Sequence, residues 1–210
     1  MDFFAGSGST MHAVMAQNAE DGGKRRCILV ELPEPLRPLP TDGSTLKTIA
    51  DICMERIRRA GSQIRAESST IAPDLDVGFR VLKIDTSNMK DVYYAPDAIK
   101  QADLLAHLDN IREDRTPEDL LFQVLVDWGV DLALPIATET LAGKTVFFVD
   151  GNALAACFDT DITEDLVKEL AKHKPLRAVF RDSSYGSDSI KINVEQIFKL
   201  LSPSTEIKSI

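Results

Sequence analysis

The chain opens on a short apolar run, Asp2-Phe3-Phe4-Ala5, that breaks at Gly6-Ser7-Gly8. Behind the glycines Met11, Val14 and Met15 recur at helical spacing until Asp21-Gly22-Gly23, so the pattern predicts a strand end, a tight turn and a helix from Ser9 or Thr10. Cys27 to Glu31 (CILVE) is almost wholly apolar, as expected of a strand covered on both faces. Pro33 to Pro40 holds four prolines and reads as an extended loop. A second helix is expected over about 45–60, with Ile49, Ile52, Cys53, Ile57 and Ala60 on one face and Gly61 as its stop. Phe79 to Asp85 (FRVLKID) then reads as a third strand. The order β-α-β-α-β is that of half an open, doubly wound sheet.

Beyond the polar stretch Thr86 to Pro96, where a domain boundary is expected, residues 96–129 read as helical. Thr116-Pro117-Glu118-Asp119 supplies an N-cap, a proline at the first helical position and acids in the first turn. Leu120, Leu121, Val124, Leu125 and Trp128 follow as an apolar stripe that Gly129 closes. TVFFVD (145–150) and ALAACFD (153–159) alternate as strands around Gly151-Asn152, a hairpin turn. A helix over 163–174 capped by Thr163, a strand over 176–181, a helix over 193–201 and a closing strand, EIKSI, complete the reading.

Composition adds limits. In 210 residues the chain carries a formal charge of −9, which opposes nucleic-acid binding by the chain alone. Its basic runs, Lys24-Arg25-Arg26 and Arg56 to Arg59, read as solvated faces, the second partly paired with Glu55 at helical spacing. Cys27, Cys53 and Cys157 form no CxxC pair, so they read as small buried residues in a reducing compartment and not as a disulfide frame or zinc site. No apolar run is long enough to span a bilayer, and the N-terminus has no signal-peptide pattern. The expected location is the cytoplasm, with no membrane partner.

The chemistry concentrates at the glycines. A strand–Gly-x-Gly–helix turn presents backbone N–H groups at a helix N-terminus and lets a ligand approach closely. Glu31, about twenty residues downstream at the end of the second strand, stands where an acid accepts both hydroxyls of a ribose. The turn lacks the Gly-Lys-Ser/Thr of a phosphate loop and the third glycine of the dinucleotide fingerprint. A cofactor with adenine and ribose but no pyrophosphate fits best, and S-adenosylmethionine is the common one.

MDFFAGSGSTMHAV, GGKRRCILVELPE, TIADICMERIRRAG and GFRVLKIDTSN together resemble the carboxy-terminal part of the β-group adenine-specific DNA methyltransferases. The likeness is closest to the modification (Mod) subunits of type III restriction-modification systems. ALAACFD and VFRDSSYGSDSIKINVEQIFK extend it into the tail. The resemblance implies an α/β fold: a partial Rossmann-like methyltransferase sheet in residues 1–90, then a smaller C-terminal α/β interaction module in 91–210. It also implies methyl transfer from S-adenosylmethionine to N6 of adenine in a recognised DNA site. On this resemblance Asp2, Phe4, Ala5, Gly6 and Gly8 form the cofactor turn. Ser9 and Thr10 place hydroxyls near the cofactor's carboxylate, where the family usually has Thr-Thr, and Glu31 holds the ribose.

The family's catalytic Asp-Pro-Pro-Tyr box, which orients and stacks the flipped adenine, occurs nowhere in the sequence. The expectation is therefore a truncated, half-site chain with no catalytic residue of its own, inactive alone, binding S-adenosylmethionine weakly if at all and touching DNA only within a full methyltransferase. A cut central strand invites self-association through its edge or leaves residues 1–20 loosely ordered. A second Mod subunit and the restriction subunit are the implied partners for residues 91–210. The competing reading is a non-catalytic interaction and dimerisation module with a vestigial cofactor loop. Elsewhere, His12, His107 and His173 are scattered, Asp182-Ser183-Ser184-Tyr185 reads as a polar turn, and Asp159, Asp161, Glu164 and Asp165 read as a solvated helix start and not a metal site.

Overall fold

The computed structural model describes residues 1–37, 45–68, 73–90, 110–185 and 188–210. It divides into two compact units, Met1–Leu82 and Lys83–Ile210.

In the first unit the opening run lies parallel to the CILVE segment. Asp2 and Leu29 form a parallel bridge, and the Asp2 and Val30 amides donate to the carbonyls of Ile28 and Asp2 at 2.9 and 2.8 Å. Helix α1, Ser9–Asp21, starts at the left-handed Gly8 and ends at the left-handed Gly22, as the sequence pattern predicts. Asn18, buried on α1, clasps the returning chain by donating to the Arg25 carbonyl (3.0 Å) and accepting from its amide (3.1 Å). Pro35 and Thr48 form an antiparallel bridge ahead of helix α2, Ile49–Ser68. Thr48 and Asp51 cap each other: the Asp51 amide donates to the Thr48 hydroxyl, and the Thr48 amide to the Asp51 carboxylate.

Gly61, expected to stop α2, lies inside it, and the helix runs on to Ser68. The reason lies in packing. A Cβ at Gly61 would sit 3.2 Å from the Val77 Cβ, so glycine admits the segment in which Leu75, Val77 and Phe79 alternate onto the helix pair. Ala5, Met15, Cys53, Ile57 and Ile64 form the core beneath. Phe79–Asp85, expected as a strand, joins no ladder with a described strand, and Val81, Leu82 and Ile84 stand exposed.

The second unit is the longer and carries the sheet. Five strands stand in sequential order: β1 (Ile136–Leu141), β2 (Lys144–Val149), β3 (Leu154–Cys157), β4 (Arg177–Phe180) and β5 (Glu206–Ser209). The first two pairings are antiparallel and the last two parallel. Parallel neighbours require crossovers, and helices α4 (Glu164–Lys172) and α5 (Asp188–Leu201) supply them. The central strands β2, β3 and β4 are buried and apolar on both faces because both faces are covered there, whereas the edge strands β1 and β5 carry exposed polar residues. Phe148, Ala155, Cys157, Ala178 and Phe180 pack with Leu166, Leu170 and Phe198. Phe147, Val149, Leu154, Ala156 and Val179 pack on the other side with Leu120, Leu121 and Leu125 of helix α3 (Pro117–Asp127). The result is an α/β sandwich with helices on both faces.

The predicted cap of α3 is present as a reciprocal Thr116–Asp119 box. Residues 96–109 of the expected helical stretch lie outside the described residues. Strand β1 was not legible in sequence. Its two-residue turn to β2 is Ala142-Gly143, both at positive φ, a dipeptide without the usual Asn-Gly or Asp-Gly signal. Between β2 and β3 the positive-φ pair is Asp150-Gly151, one residue earlier than the expected Gly151-Asn152, inside a four-residue connection that pairs Val149 with Leu154.

Candidate functional site

The glycine turn is held from both sides. Ahead of it, the Asp2 carboxylate accepts from the Phe4 amide (3.0 Å) and from the Thr10 hydroxyl (2.6 Å), tying the strand end to the first turn of α1. These bonds, that from Thr10 foremost, hold the Asp2 carboxyl below its ordinary pKa. Behind it, the Glu31 carboxylate accepts a hydrogen bond from the Gly6 amide and another, at 3.1 Å, from the Leu32 amide. The acid that sequence placed beside the glycines therefore touches the first of them, Gly6.

The two glycines do different things. Gly8 has φ +76°, and a Cβ there would meet the Cys53 Sγ at 3.0 Å and the Ile57 Cγ1 at 3.1 Å, so α2 demands glycine at this position. Gly6 has φ +52°, but its Cβ direction is open: the nearest atom is the Phe4 carbonyl oxygen at 3.9 Å. Only Gly6 keeps free space in front of its backbone. No side chain caps the N-terminus of α1, which leaves its first-turn amides available to a ligand.

The remaining predicted residues divide. Ala5 is buried and belongs to the core. Phe4 is 91% exposed, with no aromatic or apolar shelter. Ser9 opens α1 on the exposed side, and the Thr10 hydroxyl is engaged by Asp2. Sequence reasoning missed Arg56, whose Nη1 donates to the Ser7 hydroxyl at 2.7 Å. The available signal was spacing: Glu55 pairs with Arg58 and Arg59 at 3.5 and 2.7 Å, which leaves Arg56 on a different face of α2, toward the turn.

Glu31, Gly6 and the α1 N-terminus suit a cofactor with ribose and a carboxylate. A carboxylate has about four lone-pair positions, and two amides leave capacity for hydroxyls. Arg56 adds a cation at the helix side. No group of His, Cys, Asp and Glu among the described residues is arranged to hold a metal ion.

Outside the turn the polar clusters are structural. Asp182–Ser184 forms a single 3₁₀ turn, in which the Ser184 hydroxyl donates to the Asp159 carbonyl at 2.6 Å and Asp182 pairs with Lys191 at 2.6 Å. The Asp159 carboxylate accepts from the Thr145 amide at 2.7 Å, and the His173 ring packs on Phe148 with centroids 4.8 Å apart. Cys27, Cys53 and Cys157 are free thiols, and no helix among the described residues is long and apolar enough to cross a membrane.

No protein-family profile matches the chain. Among curated proteins it is 42% identical to the Mod subunit of the Salmonella typhimurium type III restriction-modification enzyme StyLTI, over 91% of this chain and 34% of that protein. It is 28% identical to the Mod subunit of the Escherichia coli type III enzyme EcoP15I, over 89% of this chain and 28% of that protein. A shorter match, 41% identical over 27% of this chain and 14% of the relative, is to the type II methyltransferase M.KpnI of Klebsiella pneumoniae. The chain thus spans about a third of the length of the Mod subunits it matches.

Proposed function

We propose that this chain, a Mod-subunit-like relative of the type III restriction-modification enzymes over nine tenths of its length, carries the S-adenosylmethionine-binding turn of an adenine-specific DNA methyltransferase. The observation that supports this reading best is the bond from the Gly6 amide to Glu31, which assembles acid and turn into one surface. Gly6, Glu31, Arg56 and the uncapped amides of α1 are the groups that would hold the cofactor. When bound, it supplies an electrophilic methyl group. The chain's own residues orient it: Glu31 by accepting ribose hydroxyls, the α1 amides and Arg56 by meeting its carboxylate.

Methyl transfer to adenine needs a group that aligns the amine and a surface that stacks the flipped base. No Asp-Pro-Pro-Tyr box occurs in the sequence. The chain by itself is therefore proposed to leave DNA unmethylated, to act on DNA only together with a box-bearing polypeptide, and to engage a second Mod subunit or a restriction subunit through residues 91–210. Three free thiols suit a reducing, cytoplasmic setting.

Calorimetry with S-adenosylhomocysteine on wild type, Gly6→Val and Glu31→Ala tests the cofactor reading. Binding that either substitution abolishes supports it. A wild type that binds nothing leaves the alternative, an interaction module with a vestigial loop. Labelled methyl groups in duplex DNA after incubation with the chain alone would overturn the proposed inactivity.

A further inference from the structure

The second unit contains a cleft of about 280 Å³ that the methyltransferase reading does not use. Arg112, Arg115 and Arg181 line it over an apolar floor of Leu120 and Phe158. Two of the arginines, Arg112 and Arg115, lie three residues apart in the segment that leads into α3, and the third, Arg181, directly follows β4. Their convergence in a chain of formal charge −9 runs against the bulk composition.

Arg115 is the informative member. Its side chain is nine-tenths buried, with 10% exposed. Nη1 donates to Asp85 at 3.0 Å and Nη2 to the Thr86 hydroxyl at 2.9 Å. Its buried Nε–H has no hydrogen-bond acceptor, because the nearest carboxylate oxygen, on Asp114, is 3.9 Å away. A buried guanidinium donor without a partner is costly and rare. Glu113 also lines the cleft, Asp114 pairs with Arg112 at 3.1 Å, and Asp119 is committed to the Thr116 cap. Asp85 and Asp114 are 64% and 59% exposed, so water screens their pairs and an entering anion can displace them.

We propose that this cleft binds a phosphate group. Three guanidinium groups line one cleft, and a phosphate offers enough oxygens to meet more than one of them where a carboxylate offers two. The group could be carried by a small phosphate ester or by a nucleic-acid backbone, and the experiment separates these sources.

The test uses the full chain, ¹⁵N-labelled, with the arginine Nε–H signals followed by NMR during titration with inorganic phosphate against matched sodium chloride. The expected result is a saturable shift of the Arg115 signal with a midpoint below about 10 mM. Arg112→Ala and Arg181→Ala, each shown folded by its amide spectrum, should weaken binding about tenfold or more. Arg115→Lys keeps the charge but loses the fork, and should weaken it too. Movement that chloride reproduces, or a midpoint unchanged in both folded alanine variants, overturns the proposal. With the site supported, displacement of phosphate by a short DNA duplex assigns it to a nucleic-acid backbone, and an unaffected titration assigns it to a small phosphate ester.

Discussion

Glu31 reaches across 25 residues of sequence to accept a hydrogen bond from the backbone amide of Gly6. The contact joins the end of one extended segment to the turn that follows the other, which the Asp2–Leu29 bridge holds in parallel. Glu31→Gln keeps the shape and one acceptor but removes the charge. It should weaken S-adenosylhomocysteine binding by about 10- to 100-fold, the worth of a hydrogen bond to a charged group. Amide exchange within α1 should stay unchanged. Equal affinity of wild type and variant would show that Glu31 serves the turn and not a ligand.

The two glycines should respond differently to alanine. At Gly8 the new Cβ meets Cys53 and Ile57 at 3.0 and 3.1 Å while the backbone stays left-handed, so Gly8→Ala should cost about 2 kcal/mol or more. At Gly6 only the backbone conformation opposes it, and the cost should be about 1 kcal/mol. Hydrogen exchange of α1 under mild denaturant measures both, since α1 and α2 share the core that Gly8 touches. A Gly6 variant less stable than the Gly8 variant would contradict the assignment.

The C-terminal end of α1 should be acid-sensitive. The Arg25 guanidinium, 2.8 Å away, and the Gly23 amide hold the Asp21 carboxyl down at about 2. A depressed folded-state value contributes stability above the unfolded carboxylate value of about 3.9 and loses it as pH falls toward 2. The carboxyl ¹³C signal of Asp21 should titrate with a midpoint near 2, and Arg25→Gln should raise it toward the ordinary range. A wild-type midpoint near 4 would mean that the pair does not persist in solution.

Thiol reactivity should rank by burial. Cys53 and Cys157 are buried, and burial pushes both thiols above their ordinary pKa, whereas Cys27 is only half-buried. At mildly alkaline pH, Cys27 should label first. The other two should wait for local opening of their units. Labelling at one common rate in the folded protein would refute this order.

The opening segment should make the chain adhesive. Phe3, Phe4, Ile28, Val30 and Leu32 are all exposed along the bridged pair, and parallel strands are ordinarily covered on both faces. Light scattering should show concentration-dependent self-association, reduced by Phe3→Ser with Phe4→Ser. A monomer at all concentrations, with strong exchange protection of residues 2–8, would remove the prediction.

What the sequence determined by itself was local. Periodicity placed α1, α3 and α4, because their caps (Gly22, Thr116 and Thr163) and apolar stripes lie within a few turns of chain. It also marked β2 to β5; the two apolar faces of β2, β3 and β4 follow from helices on both sides of the sheet. The resemblance of the glycine turn and Glu31 to a cofactor motif was legible because the relevant residues sit in two short runs. Tertiary structure decided the rest. Gly61 fails to end α2 because Val77 packs against it, a contact that no local rule encodes. Gly8 is needed by α2, and only Gly6 keeps open space, a distinction between identical residues that depends on what lies opposite. Arg56 joins the turn through a residue 49 positions away, and Arg181 after β4 meets Arg112 and Arg115 from the segment before α3 in one cleft. Local sequence sets propensity and caps, but proximity between distant residues exists only once the chain has packed.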